Sequence, residues 1–270
     1  MTAIAVTIAG SDSGGGAGIQ ADLKSFSANG VYGASVLTAL TAQNTLGVTA
    51  IHDVPVEFVR AQIDAVYSDL AVTATKIGML SQVPIIEEVA EGLKRHQTGP
   101  VVLDPVMVAA SGDPLLAESA VATLISKLVP LADIITPNLH ESARMLGAEV
   151  ARNESDMQSQ AKQLIDLGAK AVLLKGGHGD STESADLLAT RDGKILWLRE
   201  DRIATDNTHG TGCTLSSAIA AGLAKGNALG DAVSSAKAYI HEAICHADEL
   251  KIGQGHGPVH HFHAFWESAQ

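Results

Sequence analysis

Ala3-Ile-Ala-Val-Thr-Ile-Ala9 runs straight into Gly10-Ser-Asp-Ser-Gly-Gly-Gly-Ala-Gly18, and an apolar helical pattern, Ile19 to Ala28, begins at once. The first stretch is short, apolar and β-branched, as a buried strand is. A strand, a glycine-rich turn and a helix make the usual shape of a ligand-binding βα junction. Two named versions of that junction fail. A P-loop needs Gly-Lys-Ser/Thr at the helix start, and Gly18-Ile-Gln20 stands there instead. A dinucleotide fingerprint needs an acidic residue about 20 positions on, at the end of a second strand, and none fits. The junction therefore predicts an α/β fold and some ligand, with a plain flexible turn as the alternative.

The alternation continues along the chain. Strands are expected over Ala34 to Leu40, Ala74 to Gly78, Pro100 to Leu103, Ala132 to Thr136 and Ala169 to Leu174. Helices are expected over Pro55 to Leu70, Val83 to Arg95, Pro114 to Leu128, Ser155 to Leu167 and Leu229 to Leu250, with another opening at Pro137-Asn138. Ala185 to Thr190 and Lys194 to Arg199 flank Asp192-Gly193 and read as a β-hairpin. The rhythm predicts one mainly parallel central sheet with helices on both faces and a small antiparallel edge. No repeat or long linker divides the chain, so residues 1–270 are expected to form a single domain.

Composition narrows the function classes. Of 270 residues, 46% are hydrophobic and 18% charged, which suits a globular core and not a disordered chain. The net charge of -12 leaves no broad basic surface for nucleic acid or anionic membrane. No run approaches the roughly 18 apolar residues of a membrane helix. Two cysteines, Cys213 and Cys245, imply no disulfide framework and suit a reducing, cytoplasmic setting.

The most chemical stretch is Asn207-Thr-His-Gly-Thr-Gly-Cys-Thr-Leu215. Gly210 and Gly212 allow a sharp turn and close backbone approach to a ligand. The following helix offers unpaired N–H groups at its positive end, an anion site. A thiol there is expected to ionise below its usual value of about 8.5, so Cys213 is a candidate base or nucleophile. Alternatively it is a small buried hydrophobe. Four other places carry candidates. Gln43, expected just past a strand end, has the amide to pair with a ring nitrogen and an exocyclic amine, unless it is a plain loop residue. Asp104, ahead of Pro105, suits a metal or phosphate-side role, or a simple Asp-Pro turn. Asn138 and Glu141 share a helix face and suit a Mg²⁺ shell, or a helix cap, or both. Lys175, beside Gly176 and Gly177, suits phosphate oxygens. The tail histidines, His256, His260, His261 and His263, lack the spacing of a helical metal pair and are read as packing and hydrogen-bonding groups.

Taken in order, several motifs resemble one family. They are the glycine-rich run Ala9 to Lys24, Ala42-Gln-Asn-Thr45, Lys76-Ile-Gly-Met-Leu80, Asp104-Pro-Val-Met-Val108, Thr136-Pro-Asn138, Lys175-Gly-Gly-His178, Thr208 to Thr214 and Gly257-Pro-Val-His-His-Phe262. The family is the bacterial hydroxymethylpyrimidine and phosphomethylpyrimidine kinases of thiamine biosynthesis, in the ribokinase-like superfamily. The resemblance implies ATP-dependent phosphorylation of 4-amino-5-hydroxymethyl-2-methylpyrimidine to its monophosphate and then its diphosphate, with Mg²⁺. It implies that Gln43 reads the aminopyrimidine while Met79 and Val106 line the ring pocket. Gly210, Thr211, Gly212 and Cys213 would form the anion hole. Asp104, Asn138 and Glu141 would organise Mg²⁺, and Lys175 and Lys237 would lie near the nucleotide. A homodimer is implied too. Most of the superfamily carries aspartate where Cys213 stands, so the cysteine is expected to be the base. Three rivals are a pyridoxal kinase on the same fold, a thiol hydrolase in which His209 activates Cys213, and a binding regulator without turnover. One of the glycine-rich loops, Ser111 to Pro114 or Gly176 to Glu183, is expected to shield the site.

Overall fold

The computed structural model describes residues 1–107, 116, 118–177 and 182–266. Its strands are β1 (Ile4–Asp12), β2 (Tyr32–Asn44), β3 (Gly47–Asp53), β4 (Ala74–Ile77), β5 (Val101–Leu103), β6 (Ile134–Ile135), β7 (Ala171–Leu174), β8 (Glu183–Thr190) and β9 (Ile195–Asp201). The helices are α1 (Gly18–Ala28), α2 (Val56–Asp69), α3 (Val83–Arg95), α4 (Glu118–Lys127), α5 (Leu139–Leu146), α6 (Glu154–Asp166), α7 (Thr211–Ala224) and α8 (Leu229–Cys245). The start of the helix expected from Pro114 lies outside the described residues. So do Val108, the loop Ser111 to Pro114, His178 and the rest of 178–181.

The nine strands among the described residues form one sheet in the order β3-β2-β1-β4-β5-β6-β7-β8-β9. The interior pairs, from β2–β1 to β6–β7, are parallel. The β7–β8 and β8–β9 pairs are antiparallel, as the hairpin predicts. An antiparallel pair also stands at the other edge, where β3 folds back on β2. Sequence reading places antiparallel strands at one edge only and misses β3. The reason is visible in its burial: most of Gly47–Asp53 is exposed, so it carries no apolar stripe.

Two helical layers cover the sheet. Phe26 of α1, Leu215 and Ile219 of α7, and Ile240 of α8 pack with Ala5 and Val102 on one face. The opposite face packs α2 to α6 over Val6, Ile8, Ile77 and Leu103. The chain leaves β1 for β2 on one side and returns to β4 on the other. That reversal opens a crevice beyond the carboxyl ends of β1 and β4, where open α/β sheets bind ligands. α8 ends at Cys245, five residues before the expected Leu250, and a short 3-10 turn, Ala247–Glu249, follows.

Candidate active site

The loop between β1 and α1 is built around one carboxylate. Asp12 is 3% exposed and accepts N–H bonds from Gly14 (2.8 Å), Gly16 (3.0 Å) and Ala17 (2.8 Å). His209 Nε2 donates to the same carboxylate at 2.9 Å. This tie joins the first glycine loop to the second across nearly two hundred residues. The fit is close: a Cβ on Gly16 would lie 2.3 Å from the His209 ring. Gly210 holds φ at +82°, and a Cβ there would lie 1.9 Å from the Gly16 carbonyl oxygen. Glycine is needed at both positions.

Gly210 caps α7. Thr211 turns its N–H back to Thr208 O at 3.2 Å, so that group is not offered to a ligand. The next two N–H groups, of Gly212 and Cys213, have no partner among the described residues and mark the anion position. The N–H of Gly18, the first residue of α1, faces the same part of the cleft and helps to hold the Cys213 pKa down. Two helix N-termini therefore converge on one point.

That convergence does not lower the thiol's pKa as the sequence suggests. Burial pushes Cys213 up to about 11; Lys76 opposes the rise, while Asp22 and Asp104 add to it. A helix terminus is worth about 1 kcal/mol near the surface, and desolvation with two facing carboxylates outweighs it. His209 does not redress this, since its Nε2 is committed to Asp12. Among the described residues no histidine hydrogen-bonds the sulfur, which removes the support for a thiol hydrolase.

Behind α7 lies a dry ion pair. Lys76 and Asp22 are fully buried, 2.9 Å apart at both carboxylate oxygens. Thr7 Oγ1 (2.6 Å) and Ser217 Oγ (2.7 Å) also donate to Asp22. Ser217 stands one helical turn after Cys213, so the pair braces the helix that carries the thiol. Burial alone would lower the lysine's pKa, but the Asp22 charge, with help from Cys213 and Asp104, raises it instead.

A second pair sits nearer the opening. Lys175 Nζ lies 3.0 Å from Asp104 Oδ1, which also accepts from Thr136 at 2.9 Å; Ser216 Oγ is 3.3 Å from Asp104 Oδ2. Asp104 is held low: burial would raise it, and Lys175 and Lys76 overcome that. Asn138 and Glu141 form a complete capping box on α5, each side chain accepting the other's backbone N–H at 2.8 Å. The cap alternative is therefore realised, and Asn138 Oδ1 is spent on it. Burial pushes Glu141 up to about 7, against the pull of Lys175 and with Asp104 adding to the rise. Two carboxylates share Lys175, and the cluster is short of positive charge.

Lys237, on α8, bonds Asp186 Oδ2 at 2.8 Å and Ser184 Oγ at 3.1 Å. Asp186 Oδ1 in turn accepts the N–H of Gly176. At the other end, Gln43 stands within the last residues of β2, paired opposite Val48, and not past the strand end as expected. Its Oε1 lies 3.0 Å from Thr41 Oγ1, and its Nε2 is 3.5 Å from His209 Nε2. Because that histidine nitrogen donates to Asp12, it cannot accept from Gln43, and the amide N–H groups remain for a ligand. The Met79 side chain reaches Gly10. The residues expected to bind substrate, nucleotide or metal, from Gln43 to Lys237, together with the Gly210 to Cys213 turn, all line one cleft of about 600 Å³.

Sequence reasoning assigned no role to Asp12, Asp22 or Lys76. One signal was available: Ala74-Thr-Lys-Ile77 places a lysine inside a buried strand, which requires a carboxylate partner. His260 and His261 are buried, as the packing reading expects, while His256 is exposed and lies 3.2 Å from the Asp206 carbonyl oxygen. His261 bonds Thr214 at 3.0 Å, and His263 stacks on His246.

Comparison with known proteins decides the family. The family model for phosphomethylpyrimidine kinase matches residues 12–260. The chain belongs to the phosphomethylpyrimidine kinase family. It is 61% identical over 267 residues to the hydroxymethylpyrimidine/phosphomethylpyrimidine kinase of Rhizobium meliloti, covering 99% of this chain and 100% of that one. The Escherichia coli protein of the same name is 54% identical, covering 97% and 98%. Among solved structures, a phosphomethylpyrimidine kinase from Clostridium difficile has a TM-score of 0.79 at 46% identity, covering 89% of this chain and 99% of that one. The Staphylococcus aureus pyridoxal kinase bound to AMP-PCP and pyridoxal has a TM-score of 0.90 at 32% identity, covering 98% and 95%. The ribokinase-like α/β fold and kinase chemistry follow from that membership. No helix among the described residues is long and apolar enough to cross a membrane.

Proposed function

We propose that this cytoplasmic chain uses ATP and Mg²⁺ to phosphorylate 4-amino-5-hydroxymethyl-2-methylpyrimidine, and then its monophosphate, for thiamine biosynthesis. The observation that carries the reading is the meeting of the α1 and α7 N-termini at Cys213, between an amide reader and a lysine–carboxylate cluster. Gln43 orients the aminopyrimidine, with Met79 and Val106 against the ring. The hydroxymethyl oxygen attacks the γ-phosphorus of ATP, its proton passes to the thiolate form of Cys213, and the bond from phosphorus to the β-phosphate oxygen breaks to release ADP. The N–H groups of Gly212 and Cys213 hold the charge that develops on the transferred group, while Gly210 and Thr211 shape the turn. Lys175 and Lys237 meet the remaining phosphates. In the second step a phosphate oxygen of the monophosphate is the nucleophile and a diphosphate ester forms.

The donor set fits a hard cation. Asp104 and Glu141 supply carboxylate oxygens in a cluster short of positive charge, whereas Asn138 acts through the helix cap. Magnesium there would neutralise the phosphate oxygens. The homodimer expected from family resemblance is supported by the exposed apolar side chains Leu40, Leu46 and Ile51 on the β2–β3 ribbon.

Phosphorus NMR of products tests the reading. Protein, ATP, Mg²⁺ and hydroxymethylpyrimidine should give a monoester signal and then a diphosphate ester. Signal only in a parallel tube containing pyridoxal would replace the substrate. Silence in both tubes, with ligand bound, would leave the non-turning regulator.

A further inference from the structure

The cleft continues past Lys237 to a part of α8 that the reaction does not use. One turn beyond Lys237 stands His241, which lines the same cleft together with Glu200 from β9. His241, Glu242 and Cys245 bring one imidazole nitrogen, one carboxylate oxygen and one sulfur within 4.8 Å of each other. His241 and Cys245 are four apart on one helix, so both project to the same side. Glu200 Oε2 approaches His241 Nε2 to 4.0 Å, too far for a hydrogen bond. Glu242 also lies 3.7 Å from His246 Nε2, and His246 Nδ1 is bonded to Glu249 at 2.7 Å. Carboxylates therefore face this group from two elements. Glu242 and Glu200 place two carboxylates beside His241, so an arriving cation would meet a local excess of negative charge.

The geometry points to a site for a thiophilic divalent cation of the zinc class, held by His241, Cys245, Glu242 and Glu200 at the rim of the cleft. Nitrogen, sulfur and carboxylate ligands together are the set that zinc prefers over magnesium or calcium. A tetrahedral zinc ion with bonds of about 2.0–2.3 Å spaces its ligand atoms roughly 3.3–3.8 Å apart. Side-chain rotations that close the gaps among His241, Glu242 and Cys245 by about 1 Å bring those three ligands into range, and Glu200, 4.0 Å from His241 Nε2, is the fourth. His241 and Glu200 line the cleft beyond Lys237, so an ion held between them would fix both side chains and occupy space at the cleft wall. Resting on the nucleotide placement proposed above, the site would thereby weaken ATP binding.

Cobalt titration of the metal-free full chain tests the site without reference to turnover. Thiolate ligation should produce a near-ultraviolet charge-transfer band saturating at one equivalent. The band should vanish in Cys245→Ser, persist in Cys213→Ala, and need at least tenfold more cobalt in His241→Ala. Absence of the band, or its survival in Cys245→Ser, overturns the site. In kinase assays with excess Mg²⁺, micromolar Zn²⁺ should raise KM for ATP about fivefold or more in the native enzyme and not in Cys245→Ser. A band without that KM change would keep the metal site and overturn its coupling to the nucleotide. A chain that never turned over ATP would leave the cobalt result standing.

Discussion

Two lysine–aspartate pairs stand behind the anion position, and they serve different ends. Lys76–Asp22 spans 2.9 Å and Lys175–Asp104 spans 3.0 Å. Asp22 has both oxygens filled by Lys76, Thr7 and Ser217, and neither residue of that pair has any exposed side chain. The Lys175 side chain is 13% exposed, and its one hydrogen-bond partner among the described residues is Asp104. An ammonium with three donors and one protein partner at a cleft wall can reach a ligand. A saturated pair in a dry interior can only hold parts of the fold together. Equal distance therefore says little, and the remaining bonds decide the role.

Breaking the inner pair should have the largest effect. Lys76→Met leaves Asp22 buried without its counter-charge and should cost about 3–5 kcal/mol in urea unfolding. Combining it with Asp22→Leu should recover most of that loss, because an apolar pair of similar volume avoids desolvation. The lysine's pKa is raised in the folded state, so its contribution is complete below the normal lysine value of 10.5. It is lost only as pH rises through the folded value. A single-variant cost under about 1 kcal/mol at pH 7 would remove the distinction between the pairs.

Cys213 lies between the pairs and reports on both. With its pKa raised to about 11, the thiolate fraction at pH 7 is about 10⁻⁴ and grows tenfold per unit. kcat/KM for the alcohol should therefore climb with slope near one from pH 7 to 9. The monophosphate is already largely ionised, its second pKa being about 6, and its profile should be flatter. Cys213→Ala should slow the alcohol step about 10²- to 10⁴-fold and flatten its profile, with a smaller loss in the second step. Equal losses in both steps would end the base assignment.

The outer pair should show the reverse balance of effects. Lys175→Met should lower kcat about 10²- to 10³-fold while costing only about 1–2 kcal/mol of stability. Asp104 would keep its Thr136 bond and the nearby charge of Lys76. A stability loss matching that of Lys76→Met, with kcat intact, would show the two pairs to be equivalent.

The difference between these pairs also marks what the chain reveals before folding. The parallel core was legible because Ala3 to Ala9 and Ala169 to Leu174 are continuous apolar runs between helical patterns. The hairpin was legible from Asp192-Gly193. β3 was not, since an exposed edge strand carries no pattern to detect. Site residues with local chemistry, such as Gln43, Asp104, Lys175 and Cys213, stood out at loop and strand ends. Pairings did not. Asp22 lies 54 residues from Lys76, and no spacing rule links them. The reading of Cys213 failed in sign for the same reason: the helix terminus is written in the sequence, while Asp22 and Asp104 arrive only through the fold.

Asp12 offers the smallest and most pH-specific test of how such distant pairing contributes. Burial alone would raise its pKa; the His209 bond and the N–H groups of Ala17 and Gly14 bring it below the usual value. A depressed carboxylate stabilises the fold above its unfolded pKa, here 3.8, and that contribution fades as pH falls through the folded value. Asp12→Asn should thus cost about 1–2 kcal/mol near neutrality, as an amide hydrogen faces donors where an oxygen accepted. The gap from the native protein should narrow below pH 4. Circular dichroism of urea unfolding at pH 7, 4 and 3 measures it. A gap that stays constant across that range would mean that the loop depends on the shape of Asp12, not its charge. The link between the two glycine loops would then be steric, carried by Gly16 against His209.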